Sequence, residues 1–325
     1  QPSHLPANAS AEATISSPQE PLSWSNTLHV LVTEGFLRNS FSVSRHSYTR
    51  SGAEGHQYQF SHDKVQQAAY LQNDLTPKEW VHYQIAKYYL ELYDVHQADE
   101  FIFNYVEHLN LGASYYLEQN QRTMLIERNL VAAKKAFESN AYLGALYYFE
   151  QSECLLSANH WQLEYQFSYE IAWGMAKALY LTQDYQRGNR LFERVNSRIR
   201  QTSHKLNIYN IQIQSLIAQN QMQEAMSLGV TILKEVGVEL PTESDPTAYY
   251  LDIAQHYQRT RIKELLSLPE MTATVDLLTL DVLNTMQTPA YLLGPEHFMK
   301  VAYTSLEFCF QSGISASASK VFVTH

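Results

Sequence analysis

Apolar and small residues recur along most of this chain with the period of an α-helix. In NLVAAKKAFESNAYLGALYYFEQSECLL, residues 129–156, the alanines Ala132, Ala133 and Ala136 fall on one face of a helix of 3.6 residues per turn. After a turn at Ser139, Asn140 and Ala141, a second arm sets Ala145, Phe149 and Ser152 on one stripe, an aromatic between two small residues. The pattern predicts two antiparallel helices in close contact, one supplying the ring and the other the space for it. Similar periodicity predicts helices over 77–93, 98–110, 122–140, 142–157, 162–182, 185–201, 205–220, 223–236, 247–267, 272–286 and 294–311.

The start of the chain reads differently. Residues 1–21 carry Pro2, Pro6, Pro18 and Pro21 among Ser, Ala and Asn, the composition of a disordered linker. A helix follows from Leu22, with Leu28, Leu31 and Val32 on one face and Gly35 as its stop. Residues 36–48 and 57–60 then predict two short strands about the turn SGAEG at 51–55. At Ser61 the pattern opens another helix, with serine as N-cap, Asp63 in the first turn, and Val65, Ala68 and Ala69 on one face. One helix, a hairpin and a second helix make residues 22–75 a small winged-helix-like unit.

The helical pattern repeats. Ala145, Gly188 and Ala225 each follow a large residue by three (Tyr142, Tyr185, Met222) and precede Phe149, Phe192 and Gly229 by four. These anchors lie 43 and 37 residues apart, an uneven version of the 34-residue tetratricopeptide repeat. The expected fold class is therefore mainly α: an α-α superhelix of degenerate tetratricopeptide-like repeats over 76–325, truncated at its C-terminal end, after the winged-helix-like unit with its β-hairpin. The unfinished helix at 315–323, together with Gln1 at the start, suggests an excised piece of a longer protein.

Composition narrows the chemistry. Apolar residues make up 45% and charged residues 17%, enough to bury a core. The 23 tyrosines suit stacked helices, which offer each ring a pocket and each hydroxyl a wet edge. A formal net charge of −10 opposes general binding to nucleic acid or to an anionic membrane. Cys154 and Cys309 stand far apart in helical contexts, so both are expected as buried thiols in a reducing, cytoplasmic setting rather than as a disulfide. No run of about 18 apolar residues predicts a transmembrane span.

The runs FSHDKVQQAAY, EHLNLG and NLVAAKKAFESNAYLGALYYFEQSECL, in this order and spacing, resemble the region that follows the P-loop ATPase module in large multidomain signalling proteins. Such proteins often begin with a serine/threonine-kinase-like domain, continue with a STAND-type, AAA-related ATPase and end in GAF and histidine-kinase domains. The resemblance covers residues 22–241 and weakens beyond. It implies that Phe60, His62, Asp63, Gln66, Ala69 and Tyr70 form the junction between winged helix and superhelix, with Glu107, His108, Leu109 and Asn110 as a second recurring run. GISASASK, at 313–320, resembles a segment that continues in the family. The parent's catalytic motifs are missing from this stretch: there is no G-x-x-x-x-G-K-[ST], no kinase-type G-x-G-x-x-G, and no HRD or DFG. The chain itself is expected to be no enzyme and to need no cofactor.

Four groups of residues bear on function. His62 with Asp63 reads either as a sensor of a neighbouring ATPase or as a buried capping pair, and His108 pairs with Asn104 four residues away. Thirteen histidines yield no H-E-x-x-H and no helical His pair at a spacing of four, so no metal site is expected; Asp94, His96 and Asp99 read as a solvated loop rather than a cation site. The wing carries Arg38, Arg45 and Arg50 with His46, a possible grip on DNA phosphates, although three cations on an acidic chain disfavour nucleic acid. Last, the first helices of the repeats should line a groove with Glu127, Leu130, Lys134 and Phe137, then Glu170, Trp173, Lys177 and Tyr180, then Asn207, Asn210, Gln214 and Ile217. Such a mixed polar and aromatic surface suits a peptide, a protein partner or an adjacent domain of the parent chain. The leading expectation is a non-catalytic regulatory or scaffolding module; the alternatives are a fragment that completes an absent nucleotide site, and DNA binding through the wing.

Overall fold

The structure, a computed structural model, describes residues 24–40, 57–71, 77–96, 101–242, 251 and 268–323. These are mainly helical, with one two-stranded antiparallel sheet among them. The predicted linker at 1–21, most of the helix expected over 247–267, the wing tip and Asp99 lie outside the described residues. The chain divides into two compact units between Lys78 and Glu79.

In the first unit, helix α1 (Trp24–Thr33) ends at Gly35, whose φ of +74° is left-handed. The Phe36 N–H bonds back to the Leu31 carbonyl and the Gly35 N–H to Val32, which closes the helix in a Schellman turn. Strands β1 (Leu37–Ser40) and β2 (Gln57–Phe60) pair with Leu37 opposite Phe60 and Ser40 opposite Gln57. Helix α2 (Asp63–Leu71) starts one residue later than expected. Its N-cap is His62, whose carbonyl accepts the first helical bonds and whose Nδ1 accepts from the Lys64 N–H at 3.1 Å. The Ser61 hydroxyl instead donates to the Gly35 carbonyl at 2.6 Å, tying the strand end to the α1 turn. No residue of α2 is buried, so the face of Val65, Ala68 and Ala69 is not a core face.

The second unit is a succession of helices: α3 (Lys78–His96), α4 (Ile102–Leu111), α5 (Ala113–Glu118), α6 (Arg122–Glu138), α7 (Tyr142–Cys154), α8 (His160–Leu163), α9 (Tyr165–Leu181), α10 (Tyr185–Val195), α11 (Thr202–Ala218), α12 (Met222–Glu235), α13 (Thr274–Leu293), α14 (Pro295–Ser312) and α15 (Ala318–Val323). Short α5 and α8 escape a periodicity reading because neither spans two turns. Helix α13 runs past the expected end at Met286 and through Pro289, which is buried.

Neighbouring helices pack in a regular order. Helix α6 lies against α7, α9 against α10, α11 against α12 and α13 against α14, while α9 also touches α7 and α11, and α13 touches α11 and α12. Three of these pairs are joined by the same turn. Asn140, Gln183 and Asn220 each take a left-handed φ of 59 to 61°. The N–H of the next residue bonds back five positions, Ala141 to Ala136, Asp184 to Leu179 and Gln221 to Leu216, at 2.8 to 3.0 Å. Asn120 makes a fourth copy between α5 and α6. Asparagine is the non-glycine residue that tolerates this conformation best, because its short amide can bond locally.

Small residues set the closest approaches. A Cβ on Gly144 of α7 would lie 3.9 Å from that of Ala136 on α6, so the two arms of the hairpin meet as the alanine spacing predicts. The space for Phe149, however, comes from the next hairpin: its ring covers Gly174 of α9, where an added Cβ would lie 2.1 Å from the ring. Burial of that ring contributes roughly 1.5–3 kcal/mol. Cys309 is buried, which pushes its thiol up to about 11, whereas Cys154, expected to be buried, is exposed at the end of α7.

Candidate functional site

Helix α9 is buried on most sides, and the stripe Glu170, Trp173, Lys177 and Tyr180 is only partly covered. Spaced by three or four residues, these side chains share one face over about 15 Å of helix. The stripe connects two cavities.

The first is an apolar slot of about 210 Å³ between α6 and α9, walled by Lys134, Phe137, Glu170, Trp173 and Lys177, with Phe149 and Gly174 beneath. Lys177 Nζ lies 4.6 Å from the Phe137 ring centre and 4.7 Å from that of Trp173, a cation held between two aromatic faces. Burial lowers its pKa from the ordinary lysine value. Lys134 pairs with Glu170 across the slot.

The second cavity, of about 540 Å³, opens between α9, α11 and α13. Tyr180, Asn210 and Gln214 form one side, and Asp281, Asn284 and Thr285 the other. Asn210 Oδ1 is buried with no hydrogen-bond partner.

Nine of the twelve residues expected along the groove thus line one of two cavities. The other three do not. Glu127 is exposed on α6 but lines neither cavity, and the Asn207 amide donates to the Tyr169 hydroxyl at 2.8 Å. Leu130, placed on the same inner face, is a core residue at 4% exposure, while Ile217 lines the second cavity. Sequence reasoning missed the α13 wall. Its signal was the polar run Asp281, Asn284, Thr285 and Thr288, spaced for one helical face.

The junction residues are dispersed. Phe60, His62, Asp63, Gln66 and Tyr70 are exposed in the first unit, and Lys78 Nζ lies 4.6 Å from the Tyr70 ring centre. His62 and Asp63 are therefore no buried pair. His108 does not pair with Asn104: its Nδ1 meets that of His82 on α3 at 2.8 Å, with the rings stacked at 5.0 Å. Burial, and next the His82 ring, lower the His108 pKa against the opposing pull of Glu107. Asn110 joins Asn129 in a reciprocal amide pair, each Nδ2 donating to the other's Oδ1 at 2.7 to 2.8 Å, so the fully buried Asn129 is satisfied.

Arg38 is exposed on β1 opposite Gln59, and Arg45 and Arg50 lie outside the described residues. Among the described residues no group of three or more His, Cys, Asp or Glu could hold a metal ion, and no helix is long and apolar enough to cross a membrane.

One further polar centre holds the helices in place. The Glu164 carboxylate receives the Ser157 N–H and hydroxyl at 3.0 to 3.1 Å and pairs with Arg122, whose guanidinium also donates to the Leu155 carbonyl at 2.9 Å. Burial would raise its pKa, but the Ser157 and Arg122 bonds together hold it below the ordinary glutamate value. This centre fixes the loop between α7 and α9.

Comparison of the chain with protein-family models, with curated proteins and with solved structures finds no match.

Proposed function

We propose that the chain is a non-catalytic regulatory or scaffolding module of a multidomain signal-transduction ATPase or kinase. In this reading, tetratricopeptide-like hairpins stack into a superhelix and hold a peptide, a protein or an adjacent domain of the parent along the α9 stripe. The observation that carries the reading is the recurrence of one left-handed turn at Asn140, Gln183 and Asn220, spaced as the buried anchors Ala145, Gly188 and Ala225 are, beside a stripe that joins two cavities. A repeated turn with a repeated buried anchor is what a stack of like hairpins requires. The resemblance of the 60–70 and 107–112 runs to the segment after a STAND ATPase supplies the parent.

Trp173 provides the test. Titration of the chain with the separately produced neighbouring domains of the parent should change its fluorescence, and Lys177→Glu, which reverses charge in the slot, should weaken that response about tenfold. Calorimetry with ATP is the companion measurement. Appreciable affinity of this chain for ATP would favour a contribution to a nucleotide site instead, and an unchanged Trp173 signal with every neighbouring domain would remove the groove reading.

A further inference from the structure

We propose that the cavity between α9, α11 and α13 receives the guanidinium of an arginine side chain carried by a peptide. The inference rests on the reading of the α9 stripe as a peptide groove and names what its polar end selects.

The walls of the cavity are polar, and Asp281 is the one charged group among the described residues that line it. Asp281 is partly buried on α13 and lines the cavity, and among the described residues no Lys, Arg or His comes within ion-pair distance of it. Carboxylates removed from water need a cation or several donors to offset their lost hydration. On the opposite wall stands Asn210, whose Oδ1 is buried without a hydrogen-bond partner. A half-turn of the amide about χ2, a broad two-fold torsion, exchanges its ends and turns the acceptor toward an incoming donor.

The helix ladder is also interrupted along this wall. Helix α13 continues through Pro289 to Leu293. Proline has no N–H, so the carbonyl of Thr285, four residues earlier, lacks the usual i+4 donor. The Thr285 hydroxyl does not fill that role, since it donates to the Asp281 carbonyl at 2.9 Å.

A carboxylate without a paired cation and an amide oxygen without a donor define a site for a planar cation with several diverging donors. Guanidinium has five N–H groups in a fixed fork and is weakly hydrated, so it suits such a set better than an ammonium does. Tyr180 adds an aromatic wall, and about 540 Å³ is room for the side chain and its flanking backbone. The chain's net charge of −10 favours the approach of a basic partner.

Calorimetric titration of the whole chain with acetyl-Ala-Ala-Arg-Ala-Ala-amide and with its citrulline counterpart tests this. Citrulline keeps the shape and loses the charge. The arginine peptide should bind about tenfold more tightly, and the preference should shrink as salt rises. Asp281→Asn, nearly isosteric at a partly buried helical site, should abolish the preference with the melting temperature unchanged. Thr288→Lys, at an exposed position on the cavity rim, brings an ammonium to the cavity and should displace the arginine peptide by a similar factor. Equal binding of the two peptides, or a preference that survives Asp281→Asn, would overturn the guanidinium site and leave the groove reading standing. Spermidine that binds with the same Asp281 dependence while neither peptide binds would overturn the peptide as occupant, and silence with every probe would overturn the inference outright.

Discussion

The junction of α7 with α9 and the junction of α12 with α13 solve the same packing problem in opposite directions. At the first, the earlier hairpin brings the side chain, Phe149, and the later helix brings the gap, Gly174. At the second, the earlier helix brings the gap, Gly229, and the later one brings Met286. Both let the two helices approach closely, and both bury the filler: Phe149 at 4% and Met286 at 0% exposure. What recurs is complementarity between a notch and a filler, not the residue that supplies either. The turns at 140, 183 and 220, by contrast, are nearly identical in conformation. The fillers also differ in stiffness, a wedged ring against a flexible thioether.

The largest effect should come from emptying the first junction. Phe149→Ala is expected to cost about 3–5 kcal/mol, because the ring leaves a cavity that two helix backbones bound and cannot easily collapse. Urea unfolding followed by circular dichroism measures it. A cost below about 1 kcal/mol would mean that the α7–α9 contact is not a principal source of stability. Filling the notch comes next. Gly174→Ala puts a methyl where the ring stands, an overpacking cost of about 1–3 kcal/mol, against which alanine's better helix propensity returns about 1 kcal/mol. A double-mutant cycle with Phe149→Leu should show coupling of about 0.5 kcal/mol or more, and strict additivity would separate ring from notch.

Acid should act on the first junction and spare the second. His160 lies beside it, its Nδ1 2.8 Å from the Ser168 hydroxyl, and α12 and α13 contain no histidine. Burial is the main influence on His160 and lowers its pKa; Glu153 and Glu164 pull the other way, and Arg198 and Arg194 add to the lowering. With the folded pKa below the unfolded value of 6.5, the unfolded chain binds the proton first as pH falls. Stability is therefore full above that value and declines as pH drops through it toward the folded pKa. His108 and His204, also lowered first by burial, act in the same sense. The melting temperature should fall between pH 7.5 and 5.5, and His160→Gln should flatten the decline. A decline of unchanged slope in that variant would place the titrating groups elsewhere.

Much of the helical order is legible in the sequence because it depends on local periodicity. The starts of α6, α7 and α10 at Arg122, Tyr142 and Tyr185 fall where the apolar pattern puts them, since a turn of three polar or small residues precedes each. Which candidate residues share a face is legible for the same reason, because an α-helix fixes it. Partners across helices are not. His108 finds His82, 26 residues away, where a local reading offers Asn104, and Phe149 finds Gly174 in the next hairpin where its own hairpin offers alanines. The length of α13 is illegible for another reason. A proline ends a helix when packing is indifferent, but here the residues on both sides of it, Met286 and Ala290, are buried in the core and hold the helix through the break.

Gly229→Ala gives the smallest expected change and the sharpest contrast with Gly174→Ala. An added Cβ at 229 would lie 2.4 Å from Met286 Sδ and 2.7 Å from its Cε, as crowded on paper as the first junction. The clashing atoms, however, sit at the end of a side chain with three rotatable bonds, which can move aside where a phenyl ring cannot. Alanine in mid-helix gains about 1 kcal/mol over glycine, so the two terms should nearly cancel, to within about 0.5 kcal/mol. Met286→Phe places a stiff filler over the same notch and should turn Gly229→Ala destabilising by about 1–3 kcal/mol relative to that background. If Gly229→Ala in the native background instead costs as much as Gly174→Ala, filler stiffness is not what distinguishes the two junctions.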